Sequence, residues 1–164
     1  MSTPSRQSVR QLQLERCFEF VAPCVPLASL SGGLPTEPGA VLRDSAGRAQ
    51  LLHFAPRRWL APAPTETLYR DLAERDATGD GALVDVEGKW RWFRLEGPQA
   101  TRILESSVNV QGLLFKRSCA AGVLFDCPTV VSNNGVDFDC WVMSSYAEAF
   151  LRAIGRLSGV RCAD

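Results

Sequence analysis

Apolar positions along this chain repeat with two periods, one of strands and one of helices. Residues 12–20 alternate, with Leu12, Leu14, Phe18 and Phe20 on one face of a half-buried strand and Arg16 interrupting it. Further strands are predicted at 40–44 and 49–54. Pro62 and Pro64 then stop extended structure and introduce a helix, with Thr65 as N-cap, Glu66 in the first turn, and Leu68, Leu72 and Ala73 at helical spacing. A glycine-rich turn over 76–81 ends it, and strands follow at 82–86 and 89–95. Gly97-Pro98 marks the start of a second helix, because proline at the first helical position loses no needed hydrogen bond. Its buried stripe is Ala100, Ile103 and Leu104. Three more strands read at 117–125, 128–132 and 136–142, the last two joined by Asn133-Asn134-Gly135, residue types that tolerate the positive φ of a hairpin. In the final strand Val136, Phe138, Cys140 and Val142 face inward, while Asp137 and Asp139 face outward. A third helix follows: Ser145 and Glu148 have capping-box spacing, Ala147, Phe150, Leu151, Ile154 and Leu157 form a continuous stripe, and Gly159 is the terminator.

The order β-β-β-α-β-β-α-β-β-β-α predicts an α+β fold, helices packed on a mixed, largely antiparallel sheet. Residues 1–11 are polar and read as a disordered tail, residues 29–39 as a surface loop, and residues 12–160 as a single domain. No repeat of 20 to 50 residues is visible.

Charge narrows the function classes. Eighteen Lys and Arg balance 18 Asp and Glu, so no net field draws the chain to nucleic acid or an anionic membrane. No run reaches the ~18 apolar residues of a membrane span. The first ten residues lead into no apolar stretch of secretory type, so the six cysteines (17, 24, 119, 127, 140 and 162) read as reduced thiols of a cytoplasmic protein. None is spaced C-x-x-C and there is one histidine, which argues against a structural zinc site.

Four motifs carry candidate chemistry. Asp76, Thr78, Asp80, Gly81, Leu83 and Glu87 match a calcium-loop pattern, but the segment after it reads as a strand and not the exiting helix such a loop needs. A helix stop and turn into a strand explains the same residues. KWRWFR, Lys89 to Arg94, interleaves cations and aromatics that could stack a base or a pterin ring. Strand geometry puts Trp90 and Trp92 on one face and Lys89, Arg91 and Phe93 on the other, as in a core or subunit-interface strand. His53 is the one candidate imidazole base, but no nucleophile-elbow pattern accompanies it, and a hydrogen-bonded or exposed histidine is the plainer reading. Asp137 and Asp139 form a carboxylate pair that a solvated strand edge explains. No catalytic, cofactor-binding or metal residue is assigned on this basis.

Three segments together resemble a family. Pro56, Trp59 and Leu60 form a Pro-x-x-Trp-Leu element; Leu95, Gly97, Pro98 and Ala100 form Leu-x-Gly-Pro-x-Ala; Ser145, Tyr146 and Ala147 form a Ser-aromatic-Ala helix start. In this order the chain resembles the gamma subunit of heterotetrameric sarcosine oxidase over residues 49–157. It departs from the family pattern at Ser144, where the family usually has Arg, and at Glu87, where it typically has Ser. The resemblance implies a fold like the folate-binding domain of the glycine cleavage T-protein. It also implies an accessory, non-catalytic subunit with no cofactor of its own. FAD, FMN, NAD, tetrahydrofolate and zinc would then sit on partner subunits, the larger alpha and beta chains among them. A stand-alone tetrahydrofolate-binding one-carbon domain is the alternative, with Asp85 or Glu87 as the acidic group over the pterin. A calcium-binding protein is the third reading.

Overall fold

The computed structural model describes residues 8–14, 16–22, 37–97, 100–105, 118–135, 137–158 and 162–163. Eleven strands and three helices are present among them. They are β1 Ser8–Leu12, β2 Cys17–Val21, β3 Val41–Arg43, β4 Ala49–Ala55, β5 Arg58–Pro62, α1 Glu66–Thr78, β6 Ala82–Asp85, β7 Trp90–Glu96, α2 Ala100–Glu105, β8 Cys119–Leu124, β9 Cys127–Asn133, β10 Phe138–Met143, α3 Ala147–Ser158 and β11 Cys162–Ala163. A 3-10 turn, Ser144–Tyr146, leads into α3. One sheet has the order β11-β1-β7-β10-β9-β8 and the other β3-β4-β5-β2-β6. Every described pairing is antiparallel except β1 with β11.

Strand alternation sorts the side chains into three apolar layers. Phe93, Leu95, Phe138, Cys140 and Val142 of the six-stranded sheet pack under Ile103 and Leu104 of α2 and Phe150 and Ile154 of α3. Phe18, Phe20, Leu51, Trp59 and Ala61 of the five-stranded sheet pack under Leu68 and Leu72 of α1. Between the sheets lie Cys17, Leu52 and Leu60 from one and Trp90, Val130 and Trp141 from the other. The molecule is therefore a helix–sheet–sheet–helix stack, the α+β arrangement expected, but with two sheets. Strands β7 and β10 are covered on both faces, so alternate residues of each feed two different layers.

Several local expectations hold. Thr65 caps α1, its hydroxyl accepting from the Leu68 N–H at 3.3 Å, and Gly79 ends the helix in the left-handed conformation at φ 80°. The hairpin between β9 and β10 has Gly135 at φ 93°. Others need correction. Ser8–Leu12 is a strand, not part of a tail: it hydrogen-bonds β7 on one side and β11 on the other and buries Val9. The alternation read across 12–20 belongs to two strands in different sheets. Arg16 sits at the break, its guanidinium 4.4 Å from the Tyr69 ring centre and 5.4 Å from that of Phe18. Strand β5 was hidden by its prolines. Pro56-Arg57 forms the two-residue turn after β4, with Arg57 at φ 60°, and Pro62 closes the strand. The expected capping box is absent: the 3-10 turn has no side-chain cap, Ser144 donates instead to the Gly88 carbonyl, and Glu148 pairs with Arg152 at 3.5 Å. Pro98, Val136, Gly159 and residues 29–36 of the expected loop lie outside the described residues.

Gly81 shows how tightly α1 and β6 are seated. A methyl group there would lie 2.3 Å from Cζ of Phe20, a ring with no solvent exposure, and 3.1 Å from the Val21 carbonyl. The ring cannot swing aside into its packed surroundings. Gly81→Ala is expected to cost about 1–3 kcal/mol in urea unfolding; unchanged stability contradicts this packing.

Candidate functional site

Polar side chains buried between the sheets are the natural place to look for chemistry, since burying them is costly unless they are bonded. Two carboxylates lie there, Glu19 on β2 and Asp139 on β10, 5% and 2% exposed. Antiparallel register puts Arg94 directly opposite Asp139 and Trp92 opposite Trp141. Asp139 Oδ1 accepts from Trp92 Nε1 at 2.9 Å and Arg94 Nε at 2.8 Å, and Oδ2 accepts from Arg94 Nη2 at 3.1 Å. The Asn134 side-chain amide also donates to Oδ2.

That amide is held in turn from the other sheet. Arg43 on β3 donates to Asn134 Oδ1 at 2.7 Å, the Asn133 carbonyl at 2.7 Å and Ser132 Oγ at 3.0 Å. Arg43, Asn134, Asp139 and Arg94 thus form one chain of bonds across the gap. The Asp139 hydrogen bond pushes Arg94 above its ordinary value, outweighing the effect of burial.

Glu19 is the converse, a carboxylate of the five-stranded sheet bonded to β7 of the other. Its Oε1 accepts from Lys89 Nζ and from Trp90 Nε1 at 3.2 Å, and Oε2 accepts from Arg58 Nη2 at 2.7 Å. Burial alone would raise the Glu19 carboxyl. The hydrogen bonds from Lys89 and Arg58, the Lys89 charge and the Trp90 N–H together hold it below 4.5. A carboxylate so stabilised is a poor proton acceptor at neutral pH. Both acids are positioned as ionic clamps and not as acid–base groups.

The residues singled out in the sequence take other places. Asp76 and Thr78 are helical, Gly79 caps the helix and Ala82 to Asp85 are a strand, so the six calcium-pattern positions span three elements instead of one loop. Thr78 Oγ1 bonds the Arg75 carbonyl at 3.1 Å and Asp80 Oδ2 at 3.0 Å. Among the described residues no group of three or more His, Cys, Asp or Glu could hold a metal ion. Of Lys89 to Arg94, Lys89 ends the turn before β7 and the rest lie in the strand, with Trp90 and Trp92 between the sheets, Phe93 under α3 and Arg91 exposed. His53 is not exposed: its ring is buried and stacked on Trp59 at 4.4 Å and 16°, and its backbone carbonyl accepts from the Cys119 thiol at 3.6 Å. Asp85 and Glu87 are exposed, Asp85 Oδ1 accepting from the Glu87 N–H at 2.8 Å.

Asp137 and Asp139 separate: Asp137 is half-buried at the hairpin, whereas Asp139 is interior, against the expected outer face. The alternation was right; the other sheet covers the face assigned to solvent. Cys17, Cys119, Cys127 and Cys140 are buried free thiols, and burial pushes Cys17 up to about 12 and Cys140 higher still, which leaves both unreactive at neutral pH. Cys24 is not among the described residues. Sequence reasoning missed Glu19, Arg43 and Asn134. The one signal for Glu19 was a lone acid between Phe18 and Phe20 in an otherwise apolar strand.

No protein-family model and no curated protein sequence matches the chain. Solved structures do. The chain is similar to a chain of heterotetrameric sarcosine oxidase from Corynebacterium sp. U-96, solved with pyrrole 2-carboxylate. The TM-score is 0.72 at 20% identity over 96% of this chain and 88% of that one. It is also similar to the glycine cleavage system aminomethyltransferase T from Bartonella henselae, with a TM-score of 0.65 at 15% identity. That match takes in 98% of this chain but 48% of the other, so the chain spans about half the enzyme's length. These likenesses show a shared α+β fold.

Asp139→Asn removes the counter-charge of the half-buried Arg94 and is expected to cost about 1.5–3 kcal/mol in urea unfolding; a loss under about 1 kcal/mol would mean that the pair counts for no more than a surface ion pair. The Glu19 clamp sets a pH dependence. Its folded-state carboxyl titrates below the unfolded one, so its contribution is complete above 4.5 and is lost as pH falls toward the depressed folded value. Glu19→Gln is therefore expected to be less stable at pH 7 and to lose less stability than wild type between pH 6 and pH 3.5. Parallel pH profiles of the two proteins contradict this.

Proposed function

We propose that this chain is a non-catalytic, gamma-type subunit of a heterotetrameric sarcosine oxidase-like, flavin-dependent amine oxidoreductase complex. It acts in the cytoplasm by packing against larger alpha and beta subunits. FAD, FMN, NAD, tetrahydrofolate and zinc belong to those partners. One observation carries the reading: the fold match to the sarcosine oxidase chain runs over nearly the full length of both chains, whereas about half of the aminomethyltransferase is matched. A chain coextensive with a chain of a multi-subunit oxidase fits an accessory role better than it fits a truncated transferase. The interior polar groups agree, because both buried carboxylates are taken up by structural bonds, Glu19 across the two sheets and Asp139 to Arg94 and Asn134 of its own sheet.

A tetrahydrofolate-binding domain is the second reading, supported by kinship to an aminomethyltransferase. Its two acidic candidates, Asp85 and Glu87, are exposed beside an edge strand and not poised over an enclosed ring site. The Trp92 ring is pinned by its bond to Asp139.

Co-expression with large flavin-containing subunits, followed by native mass spectrometry, tests the proposal. One complex containing this chain is expected, with all flavin absorbance on the large subunits and no sarcosine turnover by the isolated chain. A stable monomer beside its co-expressed neighbours contradicts it. Titration of the isolated chain with tetrahydrofolate is expected to leave tryptophan fluorescence unchanged; saturable quenching would favour the folate reading.

A further inference from the structure

Among the described residues strand β6 is a sheet edge. Its inner side pairs with β2, Val84 opposite Glu19 and Ala82 opposite Val21. The Val86 N–H bonds the Cys17 carbonyl at 2.9 Å in the same register. Antiparallel pairs alternate between bonded and non-bonded, so Val84 and Ala82 direct their backbone groups to β2. Leu83 and Asp85 direct theirs away from the sheet, where no described strand lies beside them.

The strand is short, four residues ending in Asp85, but it carries no lysine, no proline and no bulge. Three aliphatic residues on the Glu19 face lie at this edge and are left exposed: Val84 is 48% exposed, Val21 36%, and Ala82 is exposed beside them. The exposed acids Asp80, Asp85 and Glu87 flank this patch.

We infer that β6 is a docking edge that accepts an extended strand from a larger partner chain, a strand bearing aliphatic residues alternating with lysine or arginine. Backbone groups of Leu83 and Asp85 form the ladder, the partner's aliphatics cover Val21 and Val84, and its cations meet the flanking acids. A second copy of this chain fits less well. Antiparallel pairing of β6 with itself brings Asp80 near Glu87 of its copy, and like charges across a ladder are destabilising. This inference deepens the subunit reading by naming the surface used.

Amide hydrogen exchange on the full chain tests it, with an acetylated peptide of alternating valine and lysine as the probe. At a peptide concentration of about ten times its Kd, exchange at Leu83 and Asp85 is expected to slow about tenfold. A valine–glutamate peptide is expected to give no slowing. Asp85→Pro removes an outward N–H without touching the β2 ladder, losing also the Asp85–Glu87 turn bond, and is expected to abolish the protection while the chain stays folded by circular dichroism; Val84→Lys, at an exposed position, checks the same loss by charge. Absent protection, or protection centred elsewhere, overturns the docking edge whether or not the chain co-purifies with large subunits. Protection that arises without peptide and grows with protein concentration assigns the edge to a second copy and also overturns it. Failure of co-purification with the peptide result intact counts against the subunit reading and leaves the edge standing.

Discussion

Two buried carboxylates, one from each sheet, decide how the two sheets sit on one another. Apolar layers bring sheets together but specify their relative position weakly, because hydrophobic contact has little direction. A buried charge is directional and severe, since leaving it unpaired costs several kcal/mol, about 3–5. Glu19 reaches from β2 to Lys89 and Trp90 at the start of β7. Asp139 sits four residues further along the register, opposite Arg94, and is tied through Asn134 to Arg43 on β3. In the first clamp the acid itself crosses between the sheets; in the second Arg43 crosses, and Asp139 holds the Asn134 amide that receives it. Sliding one sheet over the other would break the Glu19 bonds to Lys89 and Trp90 and the Arg43 bonds to the β9–β10 hairpin.

The remaining architecture follows from that alignment. Trp92 stacks on Trp141 at 6.0 Å between the clamps, and both rings are walled by Leu52, Leu60 and Val130. Once the central layer is set, the opposite faces of the two sheets are free to take helices. Phe93 meets Phe150 of α3 at 5.3 Å on one side, and Phe18 meets Tyr69 of α1 at 5.0 Å on the other. Covered on both faces, β10 alternates in sequence like a half-exposed strand, yet both of its faces are interior.

This explains which parts of the fold were legible in the sequence. Helix α1 announced itself through Thr65, Leu68 and Leu72, and α3 through Phe150 and Ile154, because a helix resting on one layer shows its period plainly. The β9–β10 hairpin was visible in Asn133-Asn134-Gly135. Strand β5 was not, because the cues that normally exclude strands, Pro56 and Pro62, sit at its turn and its end. Strand β1 was missed because a single buried residue, Val9, anchors it, and its pairing partners are distant in sequence. The polar interior was the least legible part. Asp139 alternates as an outward residue does, and nothing local says that a second sheet covers that face. Glu19 and Arg43 acquire meaning only when residues far apart in sequence meet.

The interior acids are bonded to neighbouring side chains, and the exposed edge of β6 is the surface least explained by the fold among the described residues. That account stands on the clamps acting across the sheets and not as isolated surface pairs. A double-mutant cycle combining Glu19→Gln with Lys89→Met, read by urea unfolding at pH 7, measures this coupling directly. The account predicts a coupling of about 1–3 kcal/mol between the two sites; additive losses, within about 0.3 kcal/mol, would contradict it.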